Sequence, residues 1–270
     1  MAKESKNAKA ARDAAAQARA AAQASERSRE RKIRIIGGIA VVAVMAALLA
    51  IPLLSGKNKG TDTNVNAALP KGVTADTYGV KAGTAWTAAN ADSVPVLQIW
   101  EDFQCPACGE FEKSSGPAIL KLADEGKVRL EWRPTIFLDS NLSADNTANG
   151  NPDSSLRATN AFGCAVDQGY AEAFHTALFA AQPAKEGAGY SDADLVVVAK
   201  NAGMTDQALA QFTDCSSNKS YEAWVKNSFA AFEKDGISST PSGILNGKEL
   251  TSDVMFNADL LTKAIADATK

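Results

Sequence analysis

Twenty consecutive residues without a charge, Ile35 to Leu54 (IIGGIAVVAVMAALLAIPLL), divide the chain into parts that cannot share one core. As a helix this run rises about 30 Å, the thickness of a bilayer's hydrocarbon layer. Five basic residues stand just before it (Arg27, Arg29, Arg31, Lys32 and Arg34), and only Lys57 and Lys59 follow closely. Basic flanks stay on the cytoplasmic side. The expected topology is therefore a single-pass signal anchor in the cell membrane at 35–54, with the N-terminus cytoplasmic and everything after Leu54 extracytoplasmic. The run is longer than the apolar core of a cleaved signal peptide, and no cysteine stands nearby to carry a lipid.

Charge follows the same division. Residues 1–34 hold ten of the 28 Lys/Arg and four of the 31 Asp/Glu, which leaves 18 against 27 for the rest. The segment 1–34 reads as a basic, Ala-rich cytoplasmic tail with no apolar stripe to bury. Residues 55–75 turn to Gly, Asn, Thr and Lys, the composition of a flexible linker. That leaves 76–270 as the folded domain. Its acidity argues against a nucleic-acid partner, which requires a positive footprint. One histidine in 270 residues cannot supply the clustered imidazoles of most catalytic metal sites, so cysteine chemistry is the first expectation.

All four cysteines, Cys105, Cys108, Cys164 and Cys215, follow the apolar run and on this topology face an oxidising compartment. Val94 to Trp100 (VPVLQIW) has the pattern of a buried strand. Cys105-Pro106-Ala107-Cys108 comes next, leading into GEFEKSSGPAILKLADEG, a helix that Pro117 can kink and Gly126 ends. Val128 to Trp132 is a second strand. A CxxC at the turn of a βαβ unit is a redox-type motif. Helical patterns fill about 154–235. Strand residues then return at Gly236 to Pro241 and Ser242 to Leu245, with a hairpin turn at Asn246-Gly247, a strand at Lys248 to Leu250, and a closing helix over about Asn257 to Ala268.

This order of CPAC, helical insert, Thr-Pro and Asn-Gly hairpin resembles the DsbA-like thiol:disulfide oxidoreductases of the thioredoxin superfamily, and most closely their membrane-anchored actinobacterial forms. The similarity covers roughly Thr74 to Lys270. It implies an α/β, thioredoxin-like fold with a helical domain inserted at about 150–235, preceded by one transmembrane helix. It implies an enzyme that introduces disulfides into reduced secreted or cell-envelope proteins through a mixed disulfide. A membrane reoxidant of DsbB or VKOR type is implied as partner, and no metal or organic cofactor. Thr240-Pro241 matches the family's cis-proline, which faces the CxxC and sets the Thr240 backbone against an extended substrate. Pro106, Ala107, Thr240 and Pro241 thus make up the motif and substrate groove. Two other readings remain open: a reductase or isomerase of the same compartment, and a tethered chaperone or peptide-binding module in which CPAC is only structural.

Only a thiolate attacks a disulfide, and a helix N-terminus favours the thiolate through its unpaired N–H groups and dipole. Cys105 is therefore the expected nucleophile and Cys108, a turn further in, the resolving thiol, with Pro106 suited to the first helical position. Ala107 stands where the family often has His or Tyr, and Ile99 where it often has an acid. The Cys105 pKa is accordingly expected between about 3.5 and about 7. Glu101-Asp102 reads as a solvated acidic turn, with opposition to the thiolate or proton relay to Cys108 as the alternatives. Cys164 and Cys215 are expected to form a second disulfide stapling the insert, a redox shuttle being the alternative. A zinc site at CPAC lacks the second CxxC it needs. His175 reads as a helix-surface or satisfied core histidine without a role, and Phe162, Phe174, Phe179, Trp224, Phe229 and Phe232 as core.

Overall fold

The computed structural model describes residue 64 and residues 66–269. The expected cytoplasmic tail and membrane span lie outside the described residues, among which no helix is long and apolar enough to cross a membrane. Five strands form one sheet in the order β1-β3-β2-β4-β5. They are β1 (Val80–Ala82), β2 (Val96–Glu101), β3 (Arg129–Pro134), β4 (Ser242–Leu245) and β5 (Lys248–Glu249). β2 runs parallel to β3, with Leu97 opposite Leu130 and Ile99 opposite Trp132; every other pairing is antiparallel. Central β2 buries Leu97, Ile99 and Glu101 on one face and Trp100 on the other, as a strand covered on both sides must.

The crossover from β2 to β3 is two helices, α1 (Pro106–Ser114) and α2 (Gly116–Asp124). The single kinked helix read from the sequence divides at Ser115, because Pro117 has no N–H for the preceding turn. Between β3 and β4 lie α3 (Asp139–Ala148), α4 (Ser154–Asp167), α5 (Ala171–Ala180), α6 (Asp192–Asn201), α7 (Asp206–Ser217) and α8 (Glu222–Lys234). The helical block thus begins at Asp139, ahead of the expected start. After β5 come α9 (Ser252–Met255) and α10 (Ala258–Asp267), the latter capped by Asn257, whose side chain accepts from the N–H groups of Asp259 and Leu260.

Gly236 to Pro241 is not a strand: the chain runs irregularly to the cis Thr240-Pro241 bond, and pairing starts at Ser242, since proline offers no donor to a ladder. Asn246 and Gly247 both take positive φ (48° and 77°), as a two-residue hairpin turn requires. In the helical block Phe162, Phe174, Phe179, Trp224 and Phe232 are buried and Phe229 is half-buried. Cys164 on α4 and Cys215 on α7 form a disulfide that closes a 51-residue separation. The second half of the expected linker is packed rather than free. Pro70 and Val73 are buried, and the Asn227 side chain accepts from the Asn64 N–H (2.9 Å) and donates to its carbonyl (2.8 Å).

Candidate active site at the start of α1

β2 delivers the chain to α1 through a turn that is tied to the helical block. The Asp102 carboxylate accepts from the N–H groups of Gln104 and Leu138 (both 2.9 Å) and from the Ser155 hydroxyl (2.6 Å). The Gln104 side chain donates to Ser155 (2.8 Å) and Asp139 (3.1 Å). Asp139 in turn accepts from the N–H groups of Ser155 and Leu156 at the start of α4 (2.8 Å each). The solvated acidic turn read from the sequence is thereby corrected: Glu101 is 2% exposed and Asp102 fully buried. Glu101 continues the inward alternation of Leu97 and Ile99, and Asp102 serves as a local acceptor. Burial pushes the Asp102 carboxyl up to about 7 against its three hydrogen bonds.

Cys105 is the N-cap of α1, in extended conformation, with Pro106 opening the helix. Its thiol donates to the Thr240 carbonyl at 3.4 Å, so the cis Thr240-Pro241 peptide faces the CPAC turn. Cys105 and Cys108 are free thiols, and they differ. The hydrogen bond from Cys108 chiefly, then the Thr240 side chain and the N–H groups of residues 108 and 107, lower the Cys105 pKa to about 6 against the opposing effect of burial. That value lies inside the expected range. Cys108 has no exposed surface, and burial, then the neighbouring Cys105 and Glu101, push its thiol well up. Cys105 is thus buried but for 7% of its surface and acidic, Cys108 wholly buried and protonated. Pro106 and Ala107 are exposed, while Thr240 and Pro241 are half-buried beside them. Gln182 fastens the helix start by donating to the carbonyls of Phe103 (3.0 Å) and Cys105 (2.8 Å). Gly109 makes room for it, since a Cβ there would collide with the Gln182 amide.

Beneath α1 lie His175, Glu101 and Glu112, of which the sequence reading passed over Glu112. His175, from α5, has Nε2 3.1 Å from Glu101 Oε2 and Nδ1 3.9 Å from Glu112 Oε2. Its ring stacks on Trp132 at 4.1 Å and meets the edges of Phe103, Phe162 and Phe179. Of its two expected settings, core is the observed one. Burial holds its pKa down to about 4. Burial first, and the Glu101 charge second, push Glu112 up to about 8, and burial raises Glu101 well above the carboxylate range. The signal for Glu112 was its spacing, four residues after Cys108 and so on the same inner face of the helix.

The sequence profile of the thioredoxin family, described as thioredoxin, matches residues 81–266. The chain belongs to the thioredoxin family. Among solved structures it is similar to the MdbA protein of Actinomyces oris, a thiol-disulfide oxidoreductase, with 22% identity and a TM-score of 0.61 over 77% of this chain and 98% of that one. The disulfide bond oxidoreductase DsbG of Mycobacterium tuberculosis is 26% identical (TM-score 0.56, 70% of this chain and 86% of that). Oxidised DsbA of the same organism is 27% identical (TM-score 0.53, 71% of this chain and 100% of that). No curated protein matches the chain at a significant level. A thioredoxin-like α/β fold with a helical insertion, in this family and with these relatives, makes the chain a thiol-disulfide oxidoreductase.

Proposed function

We propose that the protein is an extracytoplasmic oxidant of thiols, held to the cell membrane by residues 35–54, with Cys105 as its nucleophile and leaving group and Cys108 as the resolving thiol. The observation that carries this reading is the difference between the two sulfurs: Cys105 held near pKa 6 at the helix start, Cys108 buried and pushed up. A substrate thiolate attacks Cys105 of the Cys105–Cys108 disulfide and expels the Cys108 sulfur, which takes up a proton. A second substrate thiolate then attacks the substrate sulfur of the mixed disulfide and expels Cys105 as thiolate. The substrate loses two electrons and gains a disulfide; the enzyme is left as a dithiol. A low-pKa leaving group speeds that last step and stabilises the reduced enzyme, which favours giving the disulfide away. Thr240 and Pro241 would border the substrate strand, and Cys164–Cys215 would be a staple. Reduced secreted or cell-envelope proteins fit as substrates, with a DsbB or VKOR type membrane protein returning the electrons.

The test places oxidation of a reduced, unfolded disulfide protein beside reduction of insulin. Faster oxidation that is lost in Cys105→Ser supports the reading. Faster insulin reduction makes the protein a reductase, and full activity in Cys105→Ser makes CPAC structural.

A further inference from the structure

Thiol chemistry leaves three buried side chains beneath α1 without a task. Glu101, Glu112 and His175 each offer a ligand atom within 4.8 Å of the others, and among the described residues this is the one such group of three. The neighbouring Asp102 shows what a satisfied buried carboxylate looks like here, with three donors on its two oxygens. Glu101 and His175 are different. Both are at least nine-tenths buried; Glu101 and Glu112 have only each other's carboxyl to share a proton with, and His175 Nδ1, which faces Glu112, has no hydrogen-bond partner among the described residues. The surrounding walls, Trp132, Phe103, Phe162 and Phe179, are aromatic and bring no countercharge. Lys113, near Glu112, pairs outward with Glu110 at 2.8 Å. Two carboxyls buried without a cation are held protonated, and a divalent ion that displaces their protons supplies the countercharge the walls lack.

We propose that Glu101, Glu112 and His175 form a binding site for a divalent first-row transition ion of the zinc kind. One imidazole nitrogen and two carboxylate oxygens are a borderline-hard donor set, suited to zinc rather than to a soft ion. Glu112, the most exposed of the three, can close the spread to zinc's ligand distances of about 2.0–2.2 Å by a small rotamer change. It also opens onto a cavity of about 220 Å³, lined by Gly109, Gly116, Leu120, Thr176 and Phe179, through which the ion enters and which leaves room for a water as further ligand. The site lies under the start of α1, next to the buried Cys108.

The histidine is single, so its imidazole reports on the site by itself. The experiment uses tag-free full-length chain in detergent, stripped with chelator and oxidised so that no thiol of Cys105 or Cys108 is free to bind metal. Zinc chloride is titrated while the imidazole resonances are followed with ¹⁵N-histidine, and cobalt chloride is followed by visible absorption. The expected result is one ion per chain, displacement of the imidazole resonances, and cobalt bands without a thiolate charge-transfer band. Glu112→Gln should weaken binding on the order of a hundredfold. An imidazole indifferent to millimolar zinc overturns the proposal, as does unchanged affinity in a folded Glu112→Gln protein. If that variant does not fold, the wild-type imidazole decides alone. Failure here leaves the thiol reading standing, because the thiols take no part in the measurement.

Discussion

Replacing Cys108 with alanine removes the donor that contributes most to holding the Cys105 thiolate. A hydrogen bond to a charged group is worth about 1.5–3 kcal/mol, and one pKa unit corresponds to about 1.4 kcal/mol. The Cys105 pKa should therefore climb from about 6 by one to two units, to about 7–8. It should stop short of the ordinary value near 9, because the helix N–H groups and Thr240 stay in place. Cys108 has no exposed surface, and alanine leaves only a small void, so the fold should survive. With Cys164 and Cys215 joined to each other, Cys105 is then the one free thiol. Its ionisation can be followed by the ultraviolet absorbance of the thiolate and, independently, by the pH dependence of its alkylation rate. A pKa that stays at the wild-type value, or falls, would mean that the helix end alone sets the thiolate and that the two sulfurs do not communicate.

Ala107→His should lower the Cys105 pKa further and make the disulfide more oxidising by a few tens of millivolts, at about 30 mV for each 1.4 kcal/mol. The same titration reads the pKa, and because Ala107 is exposed the imidazole has room to stand beside the sulfur. Replacing both Cys164 and Cys215 with alanine should cost about 4 kcal/mol of stability by the loop-entropy estimate for a closure of 51 residues. Denaturant unfolding checks this. Oxidation by Cys105–Cys108 should persist in that protein; stability retained with turnover lost would make the second pair a shuttle. A reporter that needs export should work when fused after residue 60, and one that needs the cytoplasm should not, which tests the reading of residues 35–54 as an anchor.

What the sequence made legible is what rests on short-range pattern. The VPVLQIW run, the CPAC turn and VRLEW yield β2, α1 with α2, and β3, and Asn246-Gly247 yields the β4–β5 turn. The elements it hid lack such pattern. β1 is three residues long, and α3 (DSNLSADNTA) has no apolar stripe and buries only Asn146. Glu101-Asp102 was misread because two acids in a row look solvated; only the neighbours Ser155, Leu138 and His175, 36 to 74 residues away, show them to be buried. Likewise Asn64 looks like linker until Asn227, 163 residues later, takes both its backbone groups. Thr240-Pro241 was legible only through the family resemblance, since a Thr-Pro pair by itself is usually trans.

The most direct test of the account is the reduction potential of the Cys105–Cys108 pair as a function of pH, measured by equilibration with glutathione. With Cys105 near pKa 6 and Cys108 well above its ordinary value, reduction takes up two protons below pH 6 and one above it. The potential should therefore fall by about 59 mV per pH unit on the acid side and by about 30 on the alkaline side. At pH 7 a Cys105 pKa of about 6 favours the reduced form about tenfold over an unperturbed thiol and about fivefold over thioredoxin's pKa of about 7, the latter worth about 20 mV, so the pair should be more oxidising than thioredoxin's −270 mV. A potential at or below that of thioredoxin, with no break in slope until pH 8 or higher, would contradict both the acidic Cys105 and the oxidising role built on it.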